Sequence, residues 1–192
     1  MNFSNDDSWN HPEANEEGFV TFGKIREDAR SMDLASFLQA YPRPALRAVE
    51  KQQGGSGIRR LLEPVDRGVQ LLTERIEGVA ILRYLGKVAF LAKRPGNPYQ
   101  HLISIGRSHT NDITVAVESV SKVHGYFVRD GDRWLFTDHG STNGSRVGRR
   151  KLKKGDKEPL EDHNSVQLGF DVHFEYLAPI SLYQAARAPV ET

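Results

Sequence analysis

From Gly86 to Leu177 the chain is a succession of short apolar runs, each stopped by turn-forming residues. The runs are Val88–Leu91, Leu102–Ile105, Ile113–Val117, Gly125–Val128, Trp134–Thr137, Val166–Leu168 and Val172–Leu177. Between them lie Pro95-Gly-Asn-Pro98, Asp130-Gly-Asp132, His139-Gly140, Asn143-Gly144 and Lys154-Gly-Asp156. Runs this short suit strands better than helices, and Gly, Asn and Asp take the backbone conformations that tight reversals need. Closely spaced, turn-punctuated strands argue for two packed antiparallel sheets. The expectation is a mainly β chain with a β-sandwich over residues 86–178. Trp134 and Phe136 alternate with Leu135, which reads as sandwich packing.

The flanks read differently. Residues 1–32 are rich in Asn, Asp, Glu and Ser, with apolar residues mainly at Phe19, Val20, Phe22 and Ile25, and are expected to form a disordered arm. Residues 33–85 read as a helical or mixed segment. Leu34, Phe37 and Leu38 share a helical face behind a potential Asp33 N-cap, with Pro42 just past the end. Gln53–Gly57 is a flexible break. Beyond it, Val65, Val69, Leu72 and Ile76 fit an amphipathic helix, whereas Val69–Ile76 and Val79–Leu85 fit the strands of a hairpin turning at Glu77-Gly78; both readings stay open. Residues 179–192 are expected to be a tail.

Charge and composition exclude several functions. Lys and Arg total 26 against 25 for Asp and Glu, so any recognition of charge must be local. The absence of cysteine removes disulfides, thiolate zinc sites and cysteine nucleophiles. The seven histidines lack paired metal-ligand spacing, and no Walker or dinucleotide fingerprint occurs, so neither metal nor cofactor is expected. A basic stretch, Arg146, Arg149, Arg150, Lys151, Lys153, Lys154 and Lys157, lacks interleaved aromatics and reads as a solvated edge rather than a nucleic-acid surface. The polar, acidic start lacks the features of a secretion signal, and Val79–Ala92 is interrupted by Arg83 and Lys87 and too short to span a bilayer. A cytoplasmic protein with no membrane partner is expected.

Three loop segments share a chemical theme: Gly106-Arg-Ser-His-Thr-Asn-Asp-Ile113, Ser119-Val-Ser-Lys-Val-His-Gly125 and Asp138-His-Gly-Ser-Thr-Asn-Gly144. They supply a guanidinium, an ammonium, hydroxyls and an amide, donors suited to an oxyanion. In their order (Gly-Arg, Asn-Asp-Ile, Ser-x-x-His, Ser-Thr-Asn-Gly, then Leu168-Gly169) they resemble the forkhead-associated (FHA) domain, a phosphothreonine-binding β-sandwich, over about residues 86–178.

The resemblance implies a non-enzymatic phosphothreonine-dependent module in Ser/Thr kinase signalling, with partners that are substrates of such a kinase or the kinase itself. It implies that Arg107 contacts the phosphate through its planar guanidinium. Ser121 would hold another phosphate oxygen, Lys122 would add charge, Thr142 would line the phosphothreonine pocket, and Asn143 would bond the ligand backbone. Gly106, His124 and Gly144 would support the loops. The family's second Asn-Gly is missing from Asn143-Gly-Ser-Arg-Val-Gly148, so the following turn is expected to differ.

Ser121, His124 and Asp138 could be mistaken for a hydrolase triad, but no nucleophile-elbow pattern surrounds the serine, and His124 reads as structural. A competing function is a constitutive scaffold that binds through residues 33–85 without phosphate. Thr21, in its acidic and apolar setting, is a candidate phosphosite that could occupy the loops in cis if the arm is free.

Overall fold

The computed structural model describes residues 12–50, 82–95, 97, 99 and 101–189. Twelve strands and three helices are assigned there: β1 (Phe19–Thr21), α1 (Phe22–Ser31), α2 (Leu34–Ala40), β2 (Ala45–Ala48), β3 (Lys87–Phe90), β4 (Ile103–Gly106), β5 (Ile113–Thr114), β6 (Gly125–Asp130), β7 (Arg133–Asp138), β8 (Ser145–Val147), β9 (Arg150–Leu152), β10 (Lys157–Leu160), β11 (Ser165–Leu168), β12 (Val172–Leu177) and α3 (Pro179–Arg187). One sheet has the order β1-β3-β2-β12-β11-β8-β9 and the other β10-β7-β6-β4-β5. Every pairing is antiparallel except β4 with β5.

Alternation along each strand builds the core between the sheets. Leu46, Ala89, Ile105, Phe127, Phe136 and Phe174 are buried in one cluster there. Residues one step out of phase on the seven-stranded sheet, Val20, Ala45, Val88, Phe90 and Leu177, belong to a second cluster with Ile25, Ala29, Phe37, Leu182 and Ala186 of the helices. Part of that sheet is therefore buried on both faces. This is why Val88–Ala92 is continuously apolar rather than alternating.

The helices follow their local signals. In α2 the Asp33 carboxylate accepts from the Ser36 amide at 2.8 Å, as its position before the first turn predicts. Phe37 is fully buried, its ring centroid 4.4 Å from that of Tyr41 and 5.0 Å from that of Tyr183 in α3. Pro179 opens α3, where its fixed φ suits a first turn. Arg187 near its end donates to the Ala29 carbonyl at 2.8 Å.

Several expectations are corrected here. Residues 1–11 of the expected arm lie outside the described residues, but Phe19–Ser31 forms β1 and α1, with Phe19, Val20, Ile25 and Ala29 buried. The polar composition outweighed Phe19, Val20 and Ile25 in that expectation, and tertiary packing uses all three together with Ala29. Thr21 is thus not on a free arm: it pairs with Lys87 in the sheet, and its hydroxyl caps α1 by accepting from the Lys24 amide at 3.3 Å. The sandwich does not begin at residue 86, because β2 lies between β3 and β12. The expected tail contains α3, whose Leu182 and Ala186 are four apart and fully buried. The helix or hairpin proposed beyond Gly57 falls mostly outside the described residues; where its second strand is described, residues 83–86 form a turn.

Candidate functional site

Three loops meet around the segment 119–124. The first leaves β4 at Gly106, where a β-carbon would stand 2.5 Å from the Lys122 carbonyl oxygen and 2.9 Å from the His124 nitrogen. Only glycine allows the two backbones to lie that close. The Arg107 amide then donates to the Ser121 carbonyl at 2.9 Å and the Ser108 amide to the Lys122 carbonyl at 3.0 Å. Asn111 closes this turn from the side, its Nδ2 donating to the carbonyls of Ser108 and Lys122, both at 2.7 Å.

Arg107 is solvent-exposed. Its Nε donates to the Val120 carbonyl at 3.1 Å, which fixes the plane of the guanidinium. Among the described residues no carboxylate pairs with it, so the terminal nitrogens are available to an incoming anion.

The third loop docks on the second through Ser121 and Asn143. The Ser121 hydroxyl oxygen accepts from the Thr142 amide at 2.9 Å and lies 3.4 Å from the Thr142 hydroxyl. The Asn143 Nδ2 donates to the Ser119 carbonyl at 2.9 Å. That bond uses one hydrogen of the amide and leaves its second hydrogen and its oxygen for other partners. Arg107, Ser121, Thr142 and Asn143 are therefore gathered around one stretch of backbone. The Lys122 side chain is exposed, and its carbonyl serves the loop framework described above.

Beneath the loops lies a buried polar frame. His124 is fully buried and accepts the Ser121 amide on Nδ1 at 3.1 Å, which assigns the ring proton to Nε2. Nε2 lies 3.2 Å from the Gly144 carbonyl oxygen and 3.1 Å from the Ser145 hydroxyl. His124 thus ties the second loop to the third. Burial pushes its pKa below the ordinary value of 6.5, against the pull of Asp138. Burial alone would raise the Asp138 carboxyl, but hydrogen bonds from Ser141, Ser145 and Gly140 outweigh it and hold the group below 3.8. Those bonds are short: 2.6 Å from the Ser141 hydroxyl, 2.5 Å from the Ser145 hydroxyl and 2.8 Å from each of the Gly140 and Ser141 amides.

This geometry does not make a hydrolase triad. His124 meets the Ser121 backbone amide and not its hydroxyl, so the serine has no base at that ring. Among the described residues no cluster of three metal-ligating side chains occurs. Nor does any described helix have the length and apolarity to cross a membrane.

Sequence reasoning passed over Asn111 and Ser145 as individual contributors, and it counted Ser141 among the hydroxyl donors for an oxyanion, whereas that hydroxyl donates to Asp138 at 2.6 Å. Asp138-His-Gly-Ser141 carried a legible signal, since an aspartate two and three residues before backbone donors forms a side-chain-closed turn. Asn111 and Ser145 act across loops, and no local pattern reports that.

A family model described as FHA domain matches residues 103–169. Among solved structures, the FHA domain of the CT664 protein from Chlamydia trachomatis is 19% identical, covering 71% of this chain and 97% of that one with a TM-score of 0.43. A structure described as an analysis of phosphothreonine-dependent FHA domain interactions is 22% identical over 48% of this chain and 85% of the other, with a TM-score of 0.40. The N-terminal FHA domain of Rad53p from S. cerevisiae, in complex with a phosphothreonine peptide, is 18% identical over 45% and 74%, with a TM-score of 0.39. No curated protein sequence matches the chain.

Proposed function

We propose that this chain, which carries an FHA domain over residues 103–169, is a reader of threonine phosphorylation in Ser/Thr kinase signalling. FHA domains typically bind phosphothreonine peptides. The observation that carries the reading is the exposed Arg107 guanidinium, without a carboxylate partner among the described residues and tethered at Nε to the Val120 carbonyl, one residue before the Ser121 whose hydroxyl meets Thr142.

A phosphate brings about −1.5 to −2 charges and three acceptor oxygens. Arg107 donates two parallel bonds to it, the Ser121 hydroxyl a further one, and Lys122 adds charge at looser geometry. Thr142 lines the residue pocket, and the free hydrogen and oxygen of the Asn143 amide read the backbone of an extended ligand. Because Asp138 and His124 hold the loops in place beforehand, little ordering is lost on binding. The threonine methyl contributes about 1 kcal/mol by burial, about fivefold over phosphoserine. The partners are phosphothreonine proteins made by a Ser/Thr kinase, or that kinase itself.

Calorimetry with matched phosphorylated and unphosphorylated peptides tests this. Arg107→Ala removes a charge-assisted contact of about 2–3 kcal/mol, on the order of 30- to 150-fold in affinity, with the thermal midpoint unchanged. Equal binding of the two peptide forms rules the reading out. The scaffold alternative assigns binding to residues 33–85. Of these, Phe37, Tyr41, Ala45 and Leu46 are buried in the chain's own fold, while residues 51–81 lie outside the described residues.

A further inference from the structure

The basic stretch Arg146–Lys157 divides once its neighbours are considered. Arg150 is neutralised by Glu158 and Asp156. Lys151 and Lys154 are exposed and have no carboxylate within ion-pair distance among the described residues. Both nevertheless lie against the third loop of the candidate site. A β-carbon on Gly140 would stand 2.9 Å from Lys154 Cδ and 3.2 Å from its Cε, so the lysine stem rests on the loop backbone. At the other end of the loop, a β-carbon on Gly144 would lie 3.7 Å from Lys151 Cε.

The position of Lys154 is fixed independently by its own turn. The Asp156 carboxylate accepts from the Lys153 amide at 3.1 Å, and the Gly155 amide donates to the Asp138 carbonyl at 3.0 Å. The turn is thereby anchored to the residue whose carboxylate shapes the Gly140–Ser141 backbone. Two cations thus flank the loop that carries Thr142 and Asn143, with their stems on apolar or backbone surface and their ammonium groups left to solvent.

From this arrangement we infer that Lys151 and Lys154 form a second anion subsite, which reads an acidic side chain on the same extended ligand away from its phosphothreonine. The inference rests on the phosphothreonine reading given above. The shared chemistry is an anionic oxygen cluster, supplied by an Asp or Glu carboxylate or by a second phosphorylated residue. Opposite charge across an exposed contact adds modest affinity and larger positional selectivity, which is what two lysines at fixed places can give.

The test is a phosphothreonine peptide library bound to the intact chain, with Asp walked through each flanking position in one arm and phosphoserine in the other. Neutral Asn and Ser peptides are the controls. The native chain prefers an acidic residue at a defined flank, and the preference weakens as salt rises. Lys151→Gln and Lys154→Gln each reduce it about twofold to fivefold, the range of exposed ion pairs, while neutral-flank peptides bind as before. Lys154→Arg restores it. A preference in both arms assigns the subsite to any acidic side chain, and one confined to the phosphoserine arm assigns it to a second phosphate. Phosphothreonine-dependent binding that ignores flanking charge overturns this inference alone. Equal losses for acidic and neutral peptides in the Gln variants overturn it as well, since they report only a diffuse field. Failure of every phosphothreonine peptide to bind the native chain overturns the phosphothreonine reading and the subsite together.

Discussion

Gly106 and His124 are two of the residues that hold the loop cluster together, one by close backbone packing and the other by buried hydrogen bonds. At Gly106 the two nearest obstacles to any side chain, the Lys122 carbonyl oxygen and the His124 nitrogen, are backbone atoms, which cannot rotate away. Gly106→Ala is therefore expected to weaken phosphothreonine-peptide binding more than tenfold and to destabilise the fold by about 1–3 kcal/mol, as overpacking of a rigid contact does. Urea unfolding and calorimetry on the same variant check both.

His124 gives a pH dependence with a definite sign. Its folded pKa lies below 6.5, so the folded chain binds fewer protons than the unfolded one as pH falls below that value. The stability it contributes is complete above about pH 6.5 and is lost as pH falls through the folded pKa. Asp138, also depressed, adds a second loss below its ordinary 3.8. His163, whose pKa is raised by its bond to Glu175, runs the opposite way but is too exposed to compensate. Urea midpoints are expected to fall between pH 7.5 and pH 5.5 in the native chain. A flat profile over that interval would show that His124 is not held neutral.

At the level of elements, what could be read beforehand depended on whether a segment's signal was local. The runs at Val88, Leu102, Gly125, Trp134, Val166 and Val172 gave strands close to their observed bounds, because each keeps apolar residues close enough together for the pattern to stand out. The helix over Leu34–Ala40 was equally legible from its cap and spacing. Strands β8, β9 and β10 escaped notice because they are short and heavily charged; β10 even contains Pro159, tolerable because that strand lies at a sheet edge. Strand β2 is only Ala45–Ala48, and nothing in four residues announces that it will sit between two distant strands. The candidate site fared better than the fold around it, since Arg107, Ser121, Thr142 and Asn143 belong to contiguous motifs. Its supporting bonds from Asn111 and Ser145 cross between loops.

The helical layer has its own consequence at this scale. Leu182 is fully buried between α3 and the outer face of the seven-stranded sheet. Leu182→Ala is expected to cost about 2–4 kcal/mol, the range for truncating a buried leucine, and to leave the peptide affinity of the folded fraction within twofold. Denaturant titration and calorimetry separate the two effects.

For the molecule as a whole, the matched region 103–169 is smaller than the unit that must fold. A fragment cut to residues 86–178 loses β1, the strand β2 that joins β3 to β12, and all three helices. It leaves Val88, Phe90 and Leu177 uncovered. Such a fragment is expected to aggregate or remain unfolded, whereas the full chain melts in a single transition. Circular dichroism and sedimentation distinguish these outcomes. The same architecture bears on Thr21: to present it to the loops, β1 must peel from β3 and α1 must lose its cap.

Strands β2 and β3 are hydrogen-bonded neighbours in opposite directions, with Arg47 facing Val88. The chain that connects them, residues 49–86, therefore departs from and returns to adjoining points on one sheet. Closing such a span costs only about 0.6 kcal/mol more for each doubling of its length. Added length in that span therefore asks little of the two strands, but its last residues cannot drift: Tyr84 is buried in the core and bonds Glu17 and the Ala116 amide, so a reporter grafted there must leave residues 82–86 intact.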